Sequence, residues 1–588
     1  MKVSREWLQK FFEKPLPEAQ ILADALTFHA FEIESVENDI LDVKVLPNRG
    51  HDCLSHRGIA KELSAILDVK LVAYPYGITN TELEPKTDAL KIVVENPQLC
   101  PRFSAAYIAG LKVEPSPEWL RKALESVGQK SINNIVDATN YVMFDIGQPL
   151  HAFDAAKLSG LELTVRSAKN GEKMLGLDEK EYSVGNSMLV ITNRGIPVSI
   201  AGIKGGKPTG IDESTTSIVI EAANWDGPMI RKTSATLKLR TDASERFQQI
   251  ISPELTAYGL KAAAELIVKL AGGNIEGYVD EYPAPQEKRV VSISKEKVNN
   301  ILGTKFTDSD VENTFHRLGL PFSRTEEVFN VDVPFERLDI TISEDLVEEV
   351  ARIVGYDAIP STALPPPSKK PNVNLSFYAA EKKREELMTE GYSEVYTSVF
   401  AESGERAVAN KVGGEKPFLR TTLVGGLREA YERNSRNVDL LGLKVVKLFE
   451  VGTIWKGGKE ITMVGSADGG GVREEPLSIV ESRAYDALAV STTERYEPFS
   501  KYPFIVRDIS LWIPPQTTSA EVRSVIEKST GELLQRLDVF DEYSKGEKHS
   551  VAFRLVLQSF EKTLTDEEAN SVMERVYETV KRQGWEVR

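Results

Sequence analysis

Residues 334–360, PFERLDITISEDLVEEVARIVGYDAIP, bring four carboxylates, Asp339, Asp345, Glu348 and Glu349, to the start of one helical segment. Oxygen donors of this kind suit a hard divalent cation, since Mg²⁺ takes one or two carboxylates and keeps water in its remaining positions. Like charges four residues apart, such as Asp345 and Glu349, weaken an isolated helix, and a cation relieves that repulsion. The plainer use of the same residues is electrostatic. Acids in the first turns complement the helix dipole, and Glu348 stands at i, i+4 from Arg352. Spacing leaves both open.

The element that must position these groups is a helix with Leu346, Val347, Val350, Ile353 and Val354 on one buried stripe. Thr341 and Ser343 are its candidate N-caps, and Gly355 with Pro360 beyond it ends the run. At about 100° per residue, Asp345, Glu348, Glu349 and Arg352 fall in one arc opposite the apolar stripe.

The 588-residue length predicts about three to five domains. Hydrophobic residues make up 41% and charged residues 27%, the make-up of a folded water-soluble chain. No uncharged apolar run approaches the roughly 18 residues of a membrane span, and the N-terminal MKVSREWLQKFFEKP is broken by charge. The reading is cytoplasmic, with no membrane partner. Cys53 and Cys100 are the two cysteines and form no C-x-x-C, which argues for reduced thiols rather than a disulfide framework or structural zinc. A net charge of −16 does not advertise nucleic acid, although a local basic stripe suffices on an acidic protein.

The stretches EYPAPQEKR (281–289), STALPPPSKKPNV (361–373) and YEPFSKYP (496–503) read as seams. Residues 91–285 mix the strands ELTVRSA, SMLVITN and TSIVIEAA with helices near 118–127 and 253–271, a larger α+β domain. Residues 286–360 read as a small helix-rich module containing VVSIS, KEKVNNILG, DSDVENTFHRLG and VFNVDV. The last segment runs strand FIVRDISLWI, helix SAEVRSVIEKS, strands LLQRLDVFDEY and HSVAFRLVLQ, then a helix with a capping box at Thr565 and Glu568, then WEVR. This βαββαβ order is the ferredoxin-like pattern, whose open sheet can bind RNA.

Six phrases then occur in order: LDVKVLPNRGHDCLSHRGIAKEL, INNIVDATNYVMFDIGQPLHAFD, SIAGIKGG, IRKTSATLKLRTDASERF, RLDITISEDLVEEVARIVGYDAIP and LFEVGTIW. Together they resemble the β subunit of bacterial phenylalanyl-tRNA synthetase across nearly the whole chain. The resemblance implies an α+β, multidomain fold. Its parts are an N-terminal helical/α+β domain (1–90), an editing domain (91–285), a helix-rich, DNA-binding-like module with the acidic Mg²⁺ site (286–365), a degenerate class II synthetase-like domain (366–495) and a ferredoxin-like anticodon-binding domain (496–588). It also implies an α subunit that carries the ATP-dependent aminoacylation site, an (αβ)₂ tetramer, and tRNA(Phe) as partner. In such a subunit the acids matching Asp339, Asp345, Glu348 and Glu349 hold Mg²⁺ at the contact with α.

Two departures stand out. FEIESVEND runs almost directly into ILDVKVLPNR, where the family carries an inserted OB-fold tRNA-binding domain. FLRTTLVGGLREAYERNSR occupies the neighbourhood of the ATP-binding F-R-x-E phrase of active class II enzymes, so this chain is not expected to activate an amino acid. The match of GGGVR (469–473) to a class II arginine motif lacks its context.

For the 91–285 region the resemblance implies hydrolysis of mischarged Tyr-tRNA(Phe). A hydrophobic pocket rejects an isostere that adds only a hydroxyl by about 10². A second pocket that demands the hydroxyl does better, because a buried acceptor left unsatisfied by phenylalanine costs about 1–3 kcal/mol. By resemblance Glu221 is that acceptor, with His151 close to it. Ala201 and Gly202 form a tight wall, and Thr241 and Asn140 help to position the ester or the attacking water. An aminoacyl ester is already activated, so no nucleophile triad is required. Taken singly, His151 reads as a hydrogen-bonded structural histidine, Glu221 as a solvated acid at a strand end, and Gly202, Gly205 and Gly206 as turn residues. The family's Arg-Pro before I-N-N is replaced here by Lys130 and Ser131. Arg231, Lys232, Lys238, Arg240 and Arg246 are candidates for the tRNA 3′ end, and Arg507, Arg536 and Arg554 for the anticodon arm. Two rivals share the sequence: a subunit whose editing pocket has decayed, and a free-standing trans-editing hydrolase.

Overall fold

A computed structural model describes residues 1–72, 82–366, 369, 372–410, 414–482, 498–545 and 548–588. Parts of the seams at 361–373 and 496–503 lie outside the described residues. The chain divides into two compact units, Met1–Leu364 and Pro365–Arg588.

In the first unit, strand Lys2–Ser4 pairs with Ile40–Val43, which pairs with Ile33–Glu37. Asn38 and Asp39 join the last two with φ of 48° and 66°. Two successive residues at positive φ are what a tight type I′ hairpin needs, and Asn and Asp tolerate it best among residues with a side chain. Thus FEIESVENDILDV closes on itself. Trp7 and Leu8 join a core that also contains Ile59 and Leu63 of helix His56–Leu67, Ile135 and Val142 of helix Asn134–Ile146, and Leu260 and Ile267 of helix Leu255–Ala271. The N-terminal segment therefore shares its core with residues well beyond 90. The Trp7 indole, stacked between His56 and Tyr141, donates to Asp145 Oδ1 at 2.6 Å.

A four-stranded antiparallel sheet forms the middle of this unit, in the order Asn274–Glu281, Arg102–Ala109, Ser217–Asn224, Leu150–Asp154. Side chains alternate across a strand. Ile218, Ile220 and Ala222 accordingly face the helical core, while Val219 and Ala223 face a second core. That second core is closed by a five-stranded sheet ordered Lys204–Gly205, Ile196–Ile200, Leu189–Asn193, Glu162–Ser167, Lys91–Val94. Residues 289–354 add a three-stranded sheet, Arg289–Ser294, Val328–Val333, Phe322–Thr325, with helices Lys295–Leu302, Asp308–Arg317 and Ser343–Val354. The strand Phe322–Thr325 was not expected from its polar sequence.

In the second unit a sheet ordered Ser393–Glu394, Leu448–Lys456, Lys459–Asp468, Gly471–Pro476 carries helices on both faces. Leu423 and Leu427 pack with Leu448 and Ile454 on one face, and Ala380 and Leu387 with Phe449 and Val451 on the other. The C-terminal part has the predicted βαββαβ order, with strands arranged Leu534–Lys545, Lys548–Leu557, Ile505–Ile513, Glu586–Val587. Ile509, Leu511, Phe553 and Leu555 pack beneath helices Ser519–Thr530 and Asp566–Arg582. The expected capping box of Thr565 and Glu568 is present.

Candidate functional site

Glu221 and His151 are directly paired residues on the two neighbouring strands Ser217–Asn224 and Leu150–Asp154. The alternation that puts Val219 and Ala223 into the inter-sheet core puts Glu221 there as well. Glu221 is 6% exposed in mid-strand, a correction to its reading as a solvated acid at a strand end. Glu221 Oε2 and His151 Nε2 are both sealed from solvent without a hydrogen-bond partner. Burial alone moves both groups toward neutrality, pushing the Glu221 carboxyl up to about 8 and the His151 imidazole down to about 4. Near neutral pH the pair is a carboxylic acid facing a neutral imidazole, a set that offers a hydroxyl both a donor and an acceptor.

Across the layer the five-stranded sheet supplies glycine where any side chain would collide. A Cβ on Gly205 would lie 2.3 Å from His151 Cε1, and one on Gly202 would lie 2.7 Å from Ile230 Cδ1 and 2.8 Å from Trp225 Cδ1. Gly205 belongs to the two-residue edge strand Lys204–Gly205 rather than to a turn, whereas Gly202 has φ 67°. Ala201 is buried in the same core. Thr241 caps helix Asp242–Phe247, and its hydroxyl donates to the Ile203 carbonyl at 3.2 Å, which brings it beside the Ala201–Gly202 turn. Asn140 is not gathered in: it is half-buried on helix Asn134–Ile146, in the layer on the opposite face of the sheet.

Among the basic candidates, Arg231, Lys232, Lys238 and Arg240 are exposed. Arg246 is a correction. It is 2% exposed, donates to Leu54 O at 3.0 Å and lies over the Phe144 ring, so it serves the core. Lys130 is exposed, while the Ser131 hydroxyl donates to the buried Asp137 carboxylate, which also accepts from Ser116 Oγ and Ile132 N.

The four acids at 339–349 line one cavity of about 530 Å³ together with Arg49, His51 and Arg352. Two of them are already ion-paired. Glu349 meets Arg352 Nη2 at 2.6 Å and Arg337 Nη2 at 2.9 Å, and Asp339 meets Arg337 Nη2 at 2.6 Å and His51 Nε2 at 3.0 Å. Arg352 continues to Glu62 at 2.5 Å, and Glu62 to Arg49 at 2.6 Å. Burial opposes charge on Glu349, yet the Arg337 and Arg352 guanidiniums hold its carboxyl below the ordinary range. The expected Glu348–Arg352 pairing is replaced by Glu349–Arg352, one position over, because Arg352 turns inward to Glu62. Neither Thr341 nor Ser343 caps the helix. Ile342 holds the N-cap position, and Asp345 Oδ2 reaches back to Thr341 N at 2.7 Å and Ile342 N at 2.9 Å. Glu348 is exposed. Among the described residues no three His, Cys, Asp or Glu side chains gather into a metal-holding set. In this arrangement Asp339 and Glu349 are engaged by arginines, Asp345 accepts from the backbone of Thr341 and Ile342, and Glu348 is exposed.

In the ferredoxin-like part the three predicted arginines are held by carboxylates: Arg507 by Asp566 at 2.5 Å, Arg536 by Asp538 at 2.5 Å, and Arg554 by Asp508 at 2.8 Å and Asp439 at 2.9 Å. The sequence reading missed the aromatics on the sheet face away from the helices. Tyr543 and Trp512 both pair with Ser550, Arg588 lies 5.3 Å from the Trp512 ring and 5.8 Å from that of Tyr543, and Arg554 lies 5.2 Å from Phe540. Phe540 and Tyr543 are 52% and 47% exposed, the signature that period-two alternation and aromatic content could have found.

Domain comparisons define the class. The B3/4 domain matches residues 99–272, the tRNA synthetase B5 domain 291–356, and the ferredoxin-fold anticodon binding domain 500–588. The chain is built of aminoacyl-tRNA synthetase modules. It is 32% identical to the phenylalanine–tRNA ligase β subunit of Bacillus cereus over 98% of this chain and 82% of the relative, and 32% identical to that of Geobacillus kaustophilus over 99% and 83%. The β subunit of Clostridium acetobutylicum is 30% identical over 93% and 80%. The chain belongs to the phenylalanine–tRNA ligase β-subunit family. The Bacillus cereus alignment runs over 680 positions against 588 residues here, so that relative carries segments this chain lacks. The crystal structure of an N-terminal fragment of the phenylalanyl-tRNA synthetase β subunit from Pyrococcus horikoshii matches at 14% identity and a TM-score of 0.37, over 60% of this chain and 99% of the fragment, too distant for a structural argument. Among the described residues no helix is long and apolar enough to cross a membrane.

Proposed function

We propose that this chain, as the β subunit of a phenylalanine–tRNA ligase, hydrolyses tyrosine mis-esterified to tRNA(Phe), while ATP-dependent charging takes place on a separate α subunit. The observation that carries the proposal is the facing pair of sealed, unpartnered atoms, Glu221 Oε2 and His151 Nε2. A tyrosyl hydroxyl satisfies both at once: the neutral Glu221 acid donates to the phenolic oxygen, and the phenolic hydrogen goes to His151 Nε2. Phenylalanine leaves both orphaned, at about 1–3 kcal/mol for each. Thr241, tied to the Ala201–Gly202 turn, is placed to steady the ester end or the attacking water.

Further parts belong to the same proposal. The exposed Arg231, Lys232, Lys238 and Arg240 meet tRNA phosphates near the 3′ end, and the aromatic face around Tyr543 stacks bases of the anticodon arm. The segmentation at 90, 285, 365 and 495, the (αβ)₂ assembly, the cytoplasmic setting and the absence of the OB-fold domain at the Asn38–Asp39 hairpin are carried with it. Mg²⁺ at Asp339, Asp345, Glu348 and Glu349, shared with the α subunit, is part of the same proposal, with charge compensation rather than chemistry as its role.

The test is deacylation of Tyr-tRNA(Phe) by the αβ complex. Wild type clears the tyrosyl ester and spares Phe-tRNA(Phe), whereas His151→Ala and Glu221→Ala lose about 10² of that selectivity. A wild-type complex that leaves the tyrosyl ester intact overturns the proposal. Equal activity from the isolated chain supports a free-standing hydrolase instead.

A further inference from the structure

Seven buried side-chain polar atoms lack a hydrogen-bond partner among the described residues, and three of them, His151 Nε2, Glu221 Oε2 and Trp225 Nε1, belong to the one layer between the two sheets of the first unit. The first two are accounted for above. The third is not. Trp225 follows strand Ser217–Asn224 and continues the face that carries Val219, Glu221 and Ala223. Its ring is 1% exposed and fixed edge-on against Phe103 and Phe247, with centroids 6.2 and 6.5 Å away. The glycine at 202 admits it closely, since a Cβ there would come within 2.8 Å of Trp225 Cδ1, the carbon bonded to Nε1. The donor edge of the indole is therefore turned toward the Ala201–Gly202 turn, the same turn to which Thr241 is tied.

Building on the proofreading reading, we propose that Trp225 is a third polar contact of the pocket, its indole N–H donating to the carbonyl oxygen of the aminoacyl ester. Indole nitrogen is a donor only, which suits a carbonyl oxygen. Four residues of strand separate Glu221 from Trp225, about 13 Å at 3.3 Å each, enough to place a tyrosyl ring at one end and its ester at the other. In the reaction the oxygen of water adds to the ester carbonyl carbon, the bond from that carbon to the ribose oxygen breaks, and the ribose oxygen takes a proton. The products are tyrosine and tRNA with a free terminal hydroxyl. Negative charge collects on the carbonyl oxygen during the addition, so a fixed donor there stabilises the transition state more than the ground state.

Trp225→Phe in the αβ complex removes the N–H and keeps an aromatic ring. The expected result is a fall of about 10²-fold in the rate constant for hydrolysis of the tyrosyl ester, with KM for Tyr-tRNA(Phe) and the rate of phenylalanine charging unchanged. A purely structural role moves thermal stability and KM instead. An independent measurement leaves the chain intact: in ¹⁵N-labelled complex, a non-hydrolysable 3′-tyrosylamido adenosine shifts the Trp225 indole N–H resonance. Wild-type hydrolysis with a Trp225→Phe rate equal to it, or an unshifted resonance in the bound complex, overturns the inference while leaving the proofreading reading intact. A wild-type complex without hydrolysis removes both.

Discussion

Replacing Glu221 by glutamine tests the physics of the pocket without any substrate. An ordinary glutamate ionises near 4.5, and burial raises this one to about 8. Between those values the unfolded chain releases a proton that the folded chain retains. The folded pKa is the higher one, so the stability contribution is fully present below pH 4.5 and is lost as pH rises toward 8. Each unit is worth 1.36 kcal/mol. Wild type is thus penalised by about 3 kcal/mol at pH 7 and by roughly 4 kcal/mol at pH 8, relative to its own stability in mild acid. The glutamine side chain has the same shape and no proton to lose. The assay is amide hydrogen exchange, read by mass spectrometry on the peptide spanning residues 217–224, for wild type and Glu221→Gln from pH 5 to pH 8. Protection of the variant over wild type is expected to grow about tenfold per pH unit. A ratio that does not change with pH, or a wild-type strand better protected than the variant at pH 7, refutes the claim that the carboxyl is held neutral.

Three other outcomes follow from the remaining geometry. Arg352→Met removes one partner from the buried Glu62–Arg352–Glu349 chain and should lower the stability of the first unit by about 3–5 kcal/mol in urea unfolding; a loss below about 1 kcal/mol would mean the network is wet. Tyr543→Ala should weaken tRNA(Phe) binding by the αβ complex by about 1–3 kcal/mol in filter-binding titrations, and unchanged affinity would remove the stacking role of that face. Asp345→Asn with Glu348→Gln should abolish saturable Mg²⁺ uptake by the complex in calorimetry, and uptake that persists would remove the cation from the acids at 339–349.

The elements were largely legible because their signals are local. Alternation in TSIVIEAA, the helical stripe of Leu346, Val347, Val350 and Ile353, and the Thr565–Glu568 capping box are each set by a few neighbouring side chains. What the acids at 339–349 do was not legible. The arginines that pair with them, Arg337 and Arg352, are near in sequence, but His51 on Asp339 and Glu62 on Arg352 lie almost three hundred residues away along the chain, and an arc on a helical wheel cannot say that Glu349 and Arg352 face inward. The same limit applies to Glu221. Its identity and its strand can be read from the sequence, but the raised pKa comes from the second sheet that seals it, and the sequence does not reveal which atoms are left without partners. Arg246 looked like part of a basic patch until the fold put it against Phe144 and Leu54. The sequence alone determined the order of elements and the family to which they belong. Only the tertiary structure decided which charges are spent on one another and which polar atoms remain to meet a ligand, because burial and pairing depend on distances between segments far apart in the chain.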